Sequence, residues 1–285
     1  MQERLNFSME KSTKIAEGNT AEIYEYESGK ILKLFKDGYG KSAVEKEWKK
    51  ACEIQKFLKN IPNVYEIIQV QKRYGIIYEK IDGCTLLKPL AGKPWKAREI
   101  GKQMAQIHKQ IHQQNLDKHL NQAIINKVED KLKNDFLHST KLTEKEKNEM
   151  MKLLVELPAG NCLCHMDFHP GNIMIANQEI KVIDWNDAVM GDPLCDVART
   201  MLLIKNSAQN ESQIGKKLFV YFFCRQLLIG YRKEYLKTKN YSASELKKWE
   251  IILSAARLSE GISENEKTVL KRTVINYIKS QKAKR

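Results

Sequence analysis

The stretch "HMDFHPGNIMIANQEIKVIDW" at residues 165–185 sets three oxygen-bearing side chains, Asp167, Asn172 and Asp184, close together in the chain. Apolar residues alternate in "IMIA" and "IKVID", which predicts two short strands, and "NQE" supplies the turn between them. Such a hairpin carries Asp184 back to the side of Asn172. A lone His-x-Asp is weak evidence of anything, because Asp and Asn also cap helices and shape turns. His-x-Asp followed five residues after its Asp by Asn, and twelve residues after that by Ile-Asp-Trp with strand patterns between, is specific.

Transfer of a phosphoryl group to a hydroxyl calls for a carboxylate that orients the attacking hydroxyl and takes its proton. It calls for a hard cation on oxygen ligands at the nucleotide phosphates, and for a protein cation beside it. The Asp167–Asn172 spacing is D-x-x-x-x-N, in which the Asp faces the substrate and the Asn oxygen reaches a metal. The hairpin then delivers Asp184 as a second metal ligand.

Upstream, residues 13–35 read as paired strands: "AEIYEY" alternates, "ESGK" turns and "ILKLF" resumes. "SAVEKEWKKACEIQKFLKNI" carries Val44, Trp48, Ala51 and Leu58 at helical spacing, with Ser42 as the expected cap and Pro62 as the stop. "VYEIIQVQKRYGIIYEKI" gives two more strands. After "DGCTL" the pattern turns helical: Ile100, Met104, Ile107 and Ile111 share one face, and 121–157 continues as helix. His108 and His112 lie on or beside that face without a visible acidic partner, so they are expected to be packing or surface histidines. From residue 193 at least four helical segments follow. The fold class is α+β, a small antiparallel-sheet lobe at 1–82 followed by a larger, mostly helical lobe at 83–285.

Composition narrows the classes. The chain has 285 residues and a formal net charge of +14, with 49 Lys+Arg against 35 Asp+Glu. The lysines are spread along nearly the whole sequence, with no Arg-rich or aromatic-interleaved basic tract, so a nucleic-acid partner is disfavoured. "KSQKAKR" at the end reads as a frayed, solvated helix terminus. Six scattered cysteines form no C-x-x-C, which favours reduced, mostly buried thiols over a metal set. "MQERLNFSMEKSTK" has no apolar core to make a signal peptide, and "LFVYFFC" at 218–224 is too short to span a bilayer. A cytoplasmic protein without membrane association is expected.

From 163 to 200 the sequence "LCHMDFHPGNIMIANQEIKVIDWNDAVMGDPLCDVART" resembles the aminoglycoside phosphotransferase and choline kinase-like family, whose fold is similar to that of protein kinases. Weaker agreement reaches back to about residue 15. The resemblance implies an ATP- and Mg²⁺-dependent enzyme with Asp167 as catalytic base and Asn172 and Asp184 as Mg²⁺ ligands. It also implies structural support of the catalytic loop from His165 and Asp196, a nucleotide-binding lobe at 1–82, and a catalytic and acceptor-binding lobe at 83–285. Lys33 in "KILKLF" is the expected phosphate-contacting lysine. Glu47, on the face of Val44 and Ala51, is preferred to Glu45 as its partner. "EGNTAE" at 17–22 has one glycine where protein kinases have three; Gly18, Asn19 and Thr20 are its candidate nucleotide contacts. Backbone groups at Glu79 and Ile81 are the expected hinge contacts for adenine. Asp187 faces the acceptor or else caps a helix or turn.

No A-P-E follows Asp184, and Asp196 arrives only twelve residues later, so the chain lacks the long activation segment of a protein kinase. The expected acceptor is a small hydroxylated molecule: an aminoglycoside or other antibiotic, choline, a sugar or an amino alcohol. A catalytically silent nucleotide-binding module is the rival reading, and a kinase acting on protein a more distant one.

Overall fold

The computed structural model describes residues 12–114, 121, 123–177, 179–207, 214–237 and 241–283, with the side chains of residues 214 and 216 excepted. The signal-peptide reading of the N-terminus and the last two residues of the basic tail therefore fall largely or wholly outside the described residues. The chain forms two compact units. One runs up to Thr85 and takes in Gly171–Asn186; the other comprises Leu86–Pro170 and Asp187–Arg285. This division departs from a single cut after residue 82, because 171–186 joins the first unit through strand pairing.

The first unit holds a five-stranded antiparallel sheet of β1 (Lys14–Glu17), β2 (Ala21–Glu25), β3 (Lys30–Phe35), β4 (Val64–Val70) and β5 (Arg73–Glu79), in the order β1-β2-β3-β5-β4. Period-two alternation sends Leu32 and Leu34 to one face, with Tyr24, Ile68, Val70 and Ile77. The opposite face packs Ala21, Phe35, Val64 and Ile76 against Val44 of α1 (Lys41–Ile54). Lys33 pairs in register with Ile76, so it projects toward the α1 side.

Helix α1 starts earlier and ends sooner than its sequence pattern suggests. Gly40 is the N-cap, with extended backbone (φ −70°, ψ 159°) and no side-chain bond, so Ser42 falls inside the first turn and caps nothing. The helix stops at Ile54, well before Pro62. There the Gln55 side chain accepts the Val64 N–H at 2.9 Å and ties the helix end to the start of β4. The hairpin of β8 (Ile173–Ala176) and β9 (Glu179–Val182) adds β6 (Cys84–Thr85) in the order β6-β8-β9.

In the second unit β7 (Cys162–Cys164) pairs antiparallel with β10 (Val189–Gly191), and helices supply the rest. These are α2 (Leu87–Gly92), α3 (Ala97–His112), α4 (Val128–His138), α5 (Glu144–Val155), α6 (Pro193–Asn206), α7 (Ile214–Tyr235), α8 (Ala243–Ala256) and α9 (Glu264–Lys282). The expected helix over 121–157 is two helices. Ser139 leaves α4 in an extended conformation, and Thr143 opens α5 with a reciprocal capping box to Glu146.

Helices α3 and α7 cross at backbone contact. A Cβ at Gly101 would stand 2.1 Å from the Leu227 carbonyl oxygen, and one at Gly230 would stand 2.0 Å from that of Arg98. No other residue fits at either position. All six cysteines are free thiols, three buried and three partly buried. Among the described residues no helix is long and apolar enough to cross a membrane.

Candidate active site

The residues singled out by sequence fall into two groups, one in each unit. In the first unit, strand β3 and helix α1 bring Lys33 and Glu47 together. Lys33 Nζ donates to Glu47 Oε1 at 2.8 Å and to Asp184 Oδ1 at 3.1 Å. Glu47 lies on the inward stripe of α1 with Val44 and Ile54, whereas Glu45 pairs locally with Lys41 at 3.5 Å. Burial alone would push the Lys33 ammonium down; the carboxylates of Asp184 and Glu47 outweigh it and hold the group above its ordinary value. The Tyr78 hydroxyl is driven well up by burial, and the Glu47 and Asp184 charges add to that.

The β8–β9 hairpin brings its two ends together. Ile173 is opposite Val182, and the Ile183 N–H donates to the Asn172 carbonyl at 2.9 Å. Asp184 follows in the left-handed region (φ 65°), a strained conformation for a non-glycine residue. Neighbouring bonds hold it there: Trp185 Nε1 donates to the Val182 carbonyl at 2.9 Å, and Lys50 Nζ to the Asn186 carbonyl at 2.5 Å. The Asp184 side chain stays 44% exposed against 7% for Glu47, so of the two carboxylates on Lys33 it is the one open to a ligand. A carboxylate and an amide oxygen delivered by one hairpin are a donor set suited to a hard divalent cation such as Mg²⁺.

Two expected nucleotide contacts look different in three dimensions. The turn at Gly18, Asn19 and Thr20 joins β1 to β2, closed by the Gly18 N–H on the Ala21 carbonyl at 2.8 Å. A Cβ at Gly18 would meet only Ala21 O at 3.7 Å, so the turn does not require glycine. At the hinge, the Glu79 N–H is taken by the Asn63 carbonyl at 2.9 Å, and the Glu79 carboxylate accepts the Asn63 N–H at 2.9 Å. Glu79 thus has no backbone donor left for adenine. The Ile81 carbonyl accepts the Gly83 N–H, and among the described residues the Ile81 N–H makes no backbone bond.

In the second unit, Asp167 sits in the loop after β7. Burial pushes its carboxyl up, but His169, His165 and Arg199 outweigh that and hold it below its ordinary value. His169 Nε2 stands 3.6 Å from Asp167 Oδ2. Asp167 is therefore an ionised, acceptor-only group. Its own N–H donates to His165 Nδ1 at 3.2 Å. The residue before it, Met166, is also left-handed (φ 64°), and Arg199 Nε donates to its carbonyl at 3.0 Å.

Asp196, in the first turn of α6, is completely buried and accepts the N–H groups of His165 and Met166, the latter at 2.8 Å. His108 and His112 are neither surface nor simple packing residues. Their Nε2 atoms lie 2.9 and 3.2 Å from Asp196 Oδ2. The acidic partner that seemed absent comes from a helix more than eighty residues downstream. The only sequence signal was the pair of histidines one helical turn apart on an inward face. Arg199, three residues past Asp196, was missed because a single Arg in a helix carries no local sign of what it touches.

Asp187 belongs to this unit and caps no helix among the described residues; the N-cap of α6 is Asp192, which accepts the Leu194 N–H at 2.7 Å. Asp187 lies 3.8 Å from Lys131, which also pairs with Asp135 at 3.2 Å. These three residues, with Met166, Arg199 and Glu260, line a small cavity.

The profile of the phosphotransferase enzyme family (APH) matches residues 12–234. The chain belongs to that family. No curated protein matches the sequence. Among solved structures, the chain is similar to a thermostable mutant of the aminoglycoside phosphotransferase APH(4)-Ia in a ternary complex with ADP and hygromycin B. That likeness has TM-score 0.66 and 15% identity, covering 94% of this chain and 93% of the other. It is also similar to the amicoumacin kinase hAmiN in complex with AMP-PNP, Ca²⁺ and Ami (TM-score 0.54, 18% identity, 94% and 88% covered). A third is a choline/ethanolamine kinase family protein from Mesorhizobium loti (TM-score 0.54, 12% identity, 94% and 87% covered). The protein has the protein kinase-like fold of these enzymes.

Proposed function

We propose that the protein is an ATP- and Mg²⁺-dependent kinase that transfers the γ-phosphoryl group to a hydroxyl of a small molecule. The observation that carries this reading is the Glu47–Lys33–Asp184 chain of contacts in the first unit. A lysine held protonated between a buried and an open carboxylate is a phosphate anchor with its charge secured.

In this reading Lys33 holds phosphate oxygens while Glu47 fixes its position. Asn172 and Asp184 hold the Mg²⁺, which when bound neutralises charge on the phosphates. The Gly18–Thr20 turn lies along the phosphates, and the Ile81 N–H serves the adenine. Asp167 receives the acceptor hydroxyl in a hydrogen bond, orients it and takes its proton. Its ionised state suits that role, because only the carboxylate accepts. His165 and Asp196 keep the loop in shape.

Asp187 and Glu260 face the acceptor side. With Asp135 they set three carboxylates against Lys131 and Arg199, a mixed-charge lining that suits a polar, hydroxylated molecule carrying an amine better than a strongly polycationic one. The proteins of similar fold, one complexed with hygromycin B, one an amicoumacin kinase and one a choline/ethanolamine kinase family protein, mark the range of acceptors to try.

The test is ATP consumption with Mg²⁺ over a panel of aminoglycosides, other hydroxylated antibiotics, choline, ethanolamine, homoserine and sugars, with Asp167→Asn in parallel. Turnover that depends on one acceptor and falls by about 10²- to 10⁴-fold in the variant is expected. Acceptor-dependent turnover that survives intact in Asp167→Asn would remove Asp167 from the chemistry.

A further inference from the structure

We propose that His108 and His112 are positioning residues for phosphoryl transfer, clamping the loop that presents Asp167. The inference rests on the reading of Asp167 as the base.

Hydrogen-bond accounting fixes the state of the cluster. Asp196 is ionised: its two oxygens accept two backbone N–H groups, and His108 and His112 hold the carboxyl well below the ordinary range in spite of burial. An ionised carboxylate only accepts. Its oxygens receive the His165 and Met166 amides and face Nε2 of His108 and of His112. Both imidazoles must therefore carry their proton on Nε2. Burial keeps the His108 ring neutral, so its Nδ1 accepts from the Tyr231 hydroxyl at 2.6 Å, and the Tyr235 hydroxyl lies 2.6 Å from His112 Nδ1. Tyr231 donates, His108 relays, and the chain of bonds ends on the Asp196 carboxylate. Two His and one Asp within reach of one another are also a metal-ligand set. Here, however, both Nε2 positions are spent as donors to the carboxylate, and a metal would have to displace those protons.

The geometry comes from helix periodicity. His108 and His112 are one turn apart on α3, Tyr231 and Tyr235 are one turn apart on α7, and the Gly101 and Gly230 contacts bring the two rows into bonding distance. His108 also stacks on Phe168, with ring centroids 4.0 Å apart and planes at 20°. The loop is thus gripped on both sides of Asp167. Two amides before it are held through Asp196, and the ring after it is held directly. His108 takes part in both grips.

The test compares His108→Phe, which keeps a ring on Phe168 but loses the donor to Asp196, with His108→Gln, whose amide N–H can restore it. Asp167→Asn runs in parallel. A displaced loop should lower kcat by about 10²-fold in His108→Phe while leaving the KM for ATP unchanged, and His108→Gln should recover most of the loss. A folded His108→Phe with wild-type kcat overturns the proposal, as does a His108→Gln no better than Phe. An active Asp167→Asn instead sinks the functional reading beneath it. Should His108→Phe fail to fold, ¹⁵N NMR of the wild-type imidazoles decides. A neutral His108 ring with its proton on Nε2 is expected, and a proton on its Nδ1 overturns the clamp.

Discussion

Asp184 and Asp196 stand twelve residues apart in the sequence and in opposite chemical circumstances. Asp184 ends a hairpin in strained backbone, with 44% of its side chain exposed and a lysine ammonium against one oxygen. Asp196 is wholly buried and accepts two backbone amides and two imidazole protons. The contrast separates two uses of one side chain. A carboxylate with acceptor capacity still open to solvent can serve a ligand; one whose capacity is filled by the protein can only hold shape.

Breaking the sealed side should cost the most stability. Asp196→Ala strips the partner from four buried donors at once, and a loss of about 3–5 kcal/mol is expected in denaturant unfolding, as for other broken buried charge networks.

Acid should attack the same place more gently. Burial holds His108 down to about 4 from an ordinary 6.5, with the His112 ring beside it adding to the shift and Asp196 opposing it. Between those pH values the unfolded chain takes up a proton that the folded one refuses. Stability therefore falls as pH drops from 6.5 toward 4, by about 3 kcal/mol from this group by pH 4. Above pH 6.5 both states are neutral and the contribution vanishes. Unfolding curves from pH 7 to 4 should show this slope, flattened in His108→Gln.

The open side should barely register in the same assay. Asp184→Ala removes one exposed carboxylate and leaves the buried Lys33 ammonium its Glu47 partner, so a change within about 1 kcal/mol is expected. A large loss there would mean that Asp184 is structural after all.

The open group was legible in the sequence and the sealed one only in part. Lys33, Glu47 and Asp184 announce themselves through strand alternation, a helical stripe and a hairpin, all of them local patterns. Asp196 was expected to brace the loop because of its motif. The two histidines that complete it were invisible, since their link to Asp196 depends on how α3, α6 and α7 pack. The Ser42 cap failed because Gly40 already had the extended backbone that starts the helix. The Glu79 N–H is closed to a ligand because Asn63, sixteen residues earlier, takes it. For the histidines and for Glu79 the deciding partner lay outside the window in which periodicity speaks.

The most direct measurement is calorimetric titration of Asp167→Asn and Asp184→Asn with a non-hydrolysable ATP analogue, with and without Mg²⁺, beside their turnover. The account predicts that Asp167→Asn binds the Mg²⁺-nucleotide as the wild type does while turning over about 10²- to 10⁴-fold more slowly. It predicts that Asp184→Asn loses the Mg²⁺-dependent part of binding. Intact Mg²⁺-dependent binding in Asp184→Asn, or lost nucleotide binding in Asp167→Asn, would contradict the division of labour between the two groups.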